Sequence, residues 1–258
     1  MERVVFVVGG AHSGTTWLCL VLGAHKNAIA VGELYRLTKR FKRLAAHKAK
    51  TAAPCAVCRG QCKFWKAVKA RGHDIGAMYN HIAEKTGAEV LIDSSKKIDY
   101  IEYVQKNVPI EMRIVWINRN PADAIYHYYA RGLGAEEHAR KWIKGVMAKQ
   151  KWLAEHDHVV IDYEKAFDIS TLQRVGDHIG LDVNESMYRY WEKPMHPIVG
   201  APSAMSLVNK YQGLQKRWKG NNKEFLNTVG FDPRPVSFGY RLPQKILRII
   251  KEETSGLA

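Results

Sequence analysis

The sequence predicts an α/β fold: a mainly parallel central sheet flanked by helices. Three observations carry that prediction. Short apolar runs rich in β-branched residues recur along the chain, and stretches with helical periodicity separate them. The first run, Val4–Val8, passes through two glycines into a helix start at Thr15. A third run, Val90–Asp93, ends on Ser94-Ser95-Lys96-Lys97, and the carboxyl ends of strands are where open α/β sheets bind ligands.

The elements follow in order. Val4–Val8 is continuously apolar, as a parallel strand buried on both faces must be. Gly9-Gly10-Ala11-His12-Ser13-Gly14-Thr15-Thr16-Trp17 follows, and Thr15 to Leu22 reads as a helix. A glycine turn between a strand and a helix N-terminus is an anion cradle, because free backbone N–H groups and the helix dipole converge there. The spacing from Gly9 to Thr16 is that of the P-loop, G-x-x-x-x-G-K-[ST], so the fold is P-loop-like. The departure lies at Thr15, where a nucleotide triphosphatase carries Lys for the β- and γ-phosphates. Without that Lys, a ligand with one 5′-phosphate and a further anionic group suits the loop better than a triphosphate.

Asn27 to Val31 reads as a short strand or turn, and Glu33 follows it. Arg36 to Lys50 reads as a basic helix that Pro54 ends. Cys55, Cys58 and Cys62 then fall within eight residues. Their spacing is zinc-like but lacks a fourth ligand nearby, with His47 and His73 the nearest candidates. Structural zinc, reduced thiols and a disulfide all stay open. Cys19 lies in the apolar pattern of the first helix. Residues 74 to 88 read as a helix ended by Gly87, and Arg113–Asn118 as a strand. Pro121 and Asp123 mark the next helix start. Ala135–Leu153 is a long amphipathic helix whose stripe, Trp142 included, reads as core packing. Val159–Glu164 reads as a further strand, ending in Tyr163-Glu164. Ser170 reads as the cap of a helix that Gly180 ends, and Asn184 as the cap of a helix to Trp191. Residues 194 to 206 read as loop, and 244 to 253 as a helix that docks on the body.

Composition bounds the rest. The 258 residues suffice for one domain over 1–258, carrying a basic, Cys-containing insertion at about 36–73. A hydrophobic content of 46% and a charged content of 25% are ordinary for a globular protein. No apolar run approaches the roughly 20 residues of a membrane span, and the N-terminus lacks a signal-peptide core. A cytoplasmic location is expected. The formal charge is +15, and twelve Lys or Arg with no Asp or Glu lie between Arg36 and His73. A field of that density steers anionic ligands. No base-stacking signature accompanies it, which argues against nucleic acid; a solvated surface insertion and an acidic acceptor or surface both stay open.

Ala11-His12-Ser13-Gly14-Thr15-Thr16-Trp17 resembles the 5′-phosphosulfate loop of sulfotransferases that use 3′-phosphoadenosine 5′-phosphosulfate (PAPS). His12 stands where that family normally has Lys or Arg. Arg119-Asn-Pro-Ala-Asp123-Ala-Ile-Tyr-His127 resembles the family's 3′-phosphate segment, with His127 in place of its final Ser. Asp93-Ser94-Ser95-Lys96 and the Val31–Leu37 stretch resemble acceptor-side segments of bacterial members, and a Cys-rich insertion ending in Cys-x-Phe-Trp is similar to theirs. The resemblance implies residue roles. Gly10, Ala11, His12, Ser13, Gly14, Thr15, Thr16 and Trp17 hold the 5′-phosphosulfate, and Arg119 and His127 hold the 3′-phosphate. Tyr163 lies near the adenine. Glu33 is the base, and His12 or Lys96 stabilises the leaving phosphate oxygen. Arg217 and Lys219 close over the 3′-phosphate. The implied reaction moves a sulfuryl group from PAPS to a hydroxyl or amine of a small-molecule or glycan acceptor, releasing 3′,5′-adenosine bisphosphate, with no metal required for the chemistry. Two other readings are an ATP-dependent phosphotransferase and a non-catalytic polyanion-binding module. Oligomeric state and acceptor identity are not legible.

Overall fold

The computed structural model describes residues 1–38, 55–58, 62–70, 74–201, 204–206, 208–209 and 242–255. Five strands form one sheet: β1 (Arg3–Gly9), β2 (Ala28–Gly32), β3 (Val90–Asp93), β4 (Glu111–Asn118) and β5 (Val159–Asp162). The order across the sheet is β2-β3-β1-β4-β5, and all four pairings are parallel. Parallel neighbours need crossovers, which α1 (Thr15–Gly23), α2 (Lys63–Ala70), α3 (Ile75–Thr86), α4 (Ile98–Asn107), α5 (Pro121–Tyr129) and α6 (Ala135–Leu153) supply. α7 (Ile169–Ile179) and α8 (Gln244–Thr254) follow β5.

The central position of β1 explains its unbroken apolar run. Val4, Phe6 and Val8 point to one side and join a core with α3, α4 and α6. Val5 and Val7 point to the other and join α1 and α7. Alternate side chains of one strand therefore serve two cores, and all five residues are fully buried. Cys55, Cys62, Trp65 and Val68 belong to the first of these cores. The described part of the 36–73 segment is thus packed into the body. On the far edge, Ile246 and Ile249 of α8 pack with Ile125, Ala135 and Ala139 of α5 and α6.

The structure departs from the sequence reading at several places. Leu34–Leu37 is a single 3-10 turn, and the chain becomes extended at Thr38 (φ −83°, ψ 135°). Arg36 therefore does not begin a basic α-helix, and residues 39–50 lie outside the described region. The cap of α7 is Asp168, whose carboxylate accepts from the Ser170 N–H at 3.0 Å and from its hydroxyl at 2.9 Å. The carboxylate reaches forward to the free N–H groups of the first turn, while Ser170 already sits inside that turn. Residues Glu185–Glu192 are 3-10 in character and break at Arg189 (φ −88°, ψ 42°). The last strand stops at Asp162, and Tyr163–Lys165 turns into a 3-10 helix. Neither α2 nor α4 was expected, although Trp65 and Val68 line the buried face of the one and Tyr100, Ile101 and Val104 that of the other.

Candidate active site

Among the described residues, all but one of the donor- and acceptor-side candidates lie at or just beyond the carboxyl ends of the five strands. β1 delivers the glycine loop, β2 delivers Glu33, β3 Lys96, β4 Arg119 and β5 Tyr163. The remaining candidate, His127, is on α5. Arg217 and Lys219, like His47 and His73, lie outside the described residues.

The loop is shaped from below and from both sides. Gly14 ends it at φ +86°, and a Cβ there would sit 2.5 Å from the Tyr163 ring. Only glycine meets both conditions. His12 also adopts a left-handed conformation, φ +61°. The Trp142 indole donates to the Ala11 carbonyl at 2.7 Å, and an Arg119 guanidinium N–H donates to the His12 carbonyl. The guanidinium also lies 4.3 Å from the centre of the Tyr163 ring. Two carbonyls are thereby turned outward and held, leaving the loop's interior to donors. Three buried polar atoms in and beside the loop have no hydrogen-bond partner among the described residues: Ser13 Oγ, Trp17 Nε1 and Arg119 Nε. Orphaned buried donors cost stability unless a ligand satisfies them. Ser13 Oγ and Arg119 Nε fit an anion such as a phosphate.

The cation that the loop itself lacks arrives from β3. Lys96 Nζ donates to Thr15 Oγ1 at 3.1 Å and to Glu33 Oε1 at 3.1 Å. Thr15 occupies the P-loop lysine position, so a through-space lysine stands in for a through-chain one. Arg36 Nε holds the other oxygen of Glu33 at 2.5 Å. Burial beside an anionic donor would set a carboxylic base at a raised pKa, but with its cationic neighbours Glu33 stands the other way. Burial does push it up, but Lys96 and Arg36 outweigh burial and hold the carboxyl below its ordinary value.

His12 is no cation here. Burial, then His127, Arg131, Arg119 and Lys96, push its pKa down to about 4. The imidazole is neutral near pH 7 without ligand and offers one N–H. It stacks on His127, ring centres 4.9 Å apart and 18° from parallel, and meets Tyr128 edge-on at 5.0 Å. His127, read from the sequence as a 3′-phosphate contact, thus lies against His12 of the loop, and burial lowers its own pKa. Thr16 accepts from the Ala201 N–H at 3.2 Å. Trp17 is 8% exposed and stacks on Phe167 at 4.5 Å, so its ring is committed to packing.

Beneath Lys96, Asp93 is fully buried. Its carboxylate accepts from Ser95 N–H at 2.7 Å and from the Tyr100 hydroxyl at 3.3 Å, which in turn touches the Tyr79 hydroxyl at 3.1 Å. Burial raises the Asp93 pKa to about 7 against the help of those donors. Sequence reasoning missed Asp93 and Arg36 as partners of the site. It also missed the loop-bracing role of Trp142, because an indole on an apolar stripe looks like core.

Cys55, Cys58 and Cys62 gather around a residue the sequence did not flag, His196. Their sulfurs lie 3.7, 3.4 and 3.4 Å from His196 Nδ1. None of the four cysteines is disulfide-bonded. His196 is 134 residues from Cys62, so no spacing rule could have linked them.

A model of the sulfotransferase family matches residues 4–185. No curated protein matches the sequence. Two solved structures are similar over nearly their whole length. The sulfotransferase domain from the curacin biosynthetic pathway shares 16% identity at a TM-score of 0.61, covering 100% of this chain and 98% of that one. The sulfotransferase domain from the Synechococcus PCC 7002 olefin synthase shares 15% identity at a TM-score of 0.57, covering 97% and 94%. No helix among the described residues is long and apolar enough to cross a membrane. The family match spans well over half of the chain and takes in the glycine loop, Glu33, Lys96 and Arg119, so this protein belongs to the sulfotransferase family and is an enzyme of sulfuryl transfer.

Proposed function

We propose that this enzyme takes its sulfuryl group from PAPS and passes it in line to a hydroxyl or amine of a small-molecule or glycan acceptor, with an acidic acceptor favoured. One observation carries the reading: Lys96 links the Thr15 hydroxyl of a lysine-free glycine loop to the Glu33 carboxylate. A cation between an anion cradle and a carboxylate base is what transfer between a phosphate oxygen and an acceptor oxygen requires.

PAPS supplies a sulfuryl group whose sulfur–oxygen bond to the 5′-phosphate breaks as the bond to the acceptor oxygen forms. The loop from Gly10 to Thr16 would hold the 5′ end, with Ser13 Oγ and the loop N–H groups donating. Arg119, whose Nε lacks a partner, would serve phosphate, helped by the neutral His127. Lys96 would carry charge developing on the phosphate oxygen. Glu33 would receive the acceptor's proton. Its lowered pKa makes it a weak base while Lys96 is its partner. Drawing the ammonium toward donor phosphate would weaken that hold and raise the carboxyl's basicity. Base strength is thus coupled to donor occupancy. His12 would contribute a neutral N–H, leaving Lys96 as the cation of the pair.

The test is a thermal-shift comparison of 3′,5′-adenosine bisphosphate with ATP and AMP. A ligand at 100 times its Kd adds about 2.7 kcal/mol, which is about 5–10 °C in Tm for a chain of this size. Selective stabilisation by the bisphosphate is expected. An equal or larger effect of Mg²⁺-ATP would overturn the donor assignment in favour of phosphoryl transfer.

A further inference from the structure

We propose that Cys55, Cys58, Cys62 and His196 bind one Zn²⁺, and that this metal positions Glu33 through the backbone of residues 196–201. The four ligand atoms lie within 4.8 Å of one another. A tetrahedral zinc with bonds of about 2.3 Å to sulfur and about 2.0 Å to nitrogen puts each sulfur about 3.5 Å from the nitrogen. The observed separations of 3.4, 3.4 and 3.7 Å match the three nitrogen–sulfur edges of such a tetrahedron. Hydrogen bonding alone does not account for the gathering. Nδ1 has one lone pair, and three thiols cannot each donate to it. A central cation bound by three thiolates and a neutral imidazole satisfies all four groups at once, with three protons released to solvent.

The surroundings suit ligation. The Cys58 backbone N–H faces Cys55 Sγ at 3.5 Å, a contact that favours thiolate. Phe64 stacks on the imidazole, ring centres 5.5 Å apart and 16° from parallel. The Trp65 indole donates to the His196 carbonyl. These contacts fix the ring's direction, as groups around a metal ligand do. Sulfur-rich tetrahedral sites select zinc over calcium or magnesium.

The same segment reaches the reaction centre within a few residues. Ala56 N–H donates to the Pro197 carbonyl at 2.9 Å. Ile198 N–H donates to the Val31 carbonyl at 2.7 Å, and the Glu33 N–H donates to the Ile198 carbonyl at 2.8 Å. Gly32, at φ +74°, admits that close approach, since a Cβ would collide with the Ile198 backbone. Ala201 N–H then reaches Thr16 Oγ1. A metal at His196 therefore anchors a strap laid along the end of β2, from the base to the phosphate loop. His196 is a positioning residue, and this positioning role rests on the sulfuryl-transfer reading above. The metal site itself does not.

Zinc is measured by elemental analysis of the purified full-length protein, and the ligand set by cobalt substitution. One zinc per chain is expected, with thiolate-to-cobalt charge transfer and the visible bands of tetrahedral Co²⁺. Protein without zinc, whose three thiols react with Ellman's reagent at one rate with or without added zinc, would overturn the site. His196→Ala should lose zinc, and His196→Cys should regain it as a four-sulfur site. In sulfuryl transfer, His196→Ala should lower kcat about 10- to 100-fold while the Kd for 3′,5′-adenosine bisphosphate stays within a few fold, and His196→Cys should restore kcat. A zinc-free His196→Ala with unchanged kcat would overturn the positioning role. Should the variant not fold, the metal content and cobalt spectrum of the unsubstituted protein still decide the site. If the donor assignment fails instead, those two measurements are unaffected.

Discussion

At Glu33, desolvation and two cations pull in opposite directions, and the cations win. The kcat/KM profile should therefore begin to fall only below the ordinary carboxylate range on the acid side. Glu33→Gln should lower kcat about 10²- to 10⁴-fold with little change in bisphosphate affinity. Lys96→Ala removes the larger Coulombic attraction on Glu33, so the acid limb of whatever activity remains should move up in pH. An unmoved limb would show that the titrating group is not Glu33. Asp93 lies on the same side of the sheet but obeys burial. Its pKa is about 7 folded and about 3.9 unfolded. The folded state therefore binds the extra proton between those values, and stability falls as pH rises through that window, then levels off above about 7. Three pH units at about 1.4 kcal/mol each put the total at about 4 kcal/mol. Asp93→Asn keeps an acceptor for Ser95 N–H and never ionises, so its urea midpoint should exceed that of the unsubstituted protein by more at pH 8 than at pH 5. A constant difference would mean that the carboxyl titrates alike in both states. The identities of Glu33 and Lys96 were readable in the sequence. Their mutual contact was not, because 63 residues separate them and only the adjacency of β2 and β3 joins them.

At the scale of elements, the strand–loop–helix unit from Arg3 to Gly23 was the most legible part of the chain. Its apolar run, glycine spacing and helix start are all local signals. What holds the loop in shape is not local. Trp142 and Arg119 grip its carbonyls from α6 and from the end of β4, and Tyr163 fills the space beside Gly14. Gly14→Ala should be destabilising by about 1–2 kcal/mol for its left-handed backbone alone, and the Tyr163 ring must also move. Bisphosphate binding should be lost before global folding is, which calorimetry and thermal melts separate. Trp142→Phe keeps the apolar face of α6 but frees the Ala11 carbonyl. It should weaken the bisphosphate more than it lowers Tm, and the reverse order would return Trp142 to a packing role. The helix at Ile98–Asn107 escaped notice although Tyr100, Ile101 and Val104 carried its period. Its start has no side-chain cap, since the Lys97 cap position supplies none, and so the usual opening signal was missing.

Over the whole molecule, charge is the feature with the widest reach. The formal charge is +15, twelve Lys or Arg with no Asp or Glu fall between Arg36 and His73, and the first of them, Arg36, stands on Glu33. Raising salt from 50 to 500 mM shortens the screening length from about 14 Å to about 4 Å. KM for an acidic acceptor should rise steeply over that range and KM for a neutral one should not. Equal responses would remove the argument for an acidic acceptor. The sequence by itself determined the layer architecture, the central strand and the anion loop, because strand burial, glycine spacing and helix starts are set by neighbours in the chain. Only the tertiary structure decided which distant groups share a site: Lys96 with Thr15 and Glu33, Arg119 with the loop, His196 with three cysteines. Those pairings depend on strand order and on a strap that returns after more than 130 residues, and neither is encoded in local periodicity.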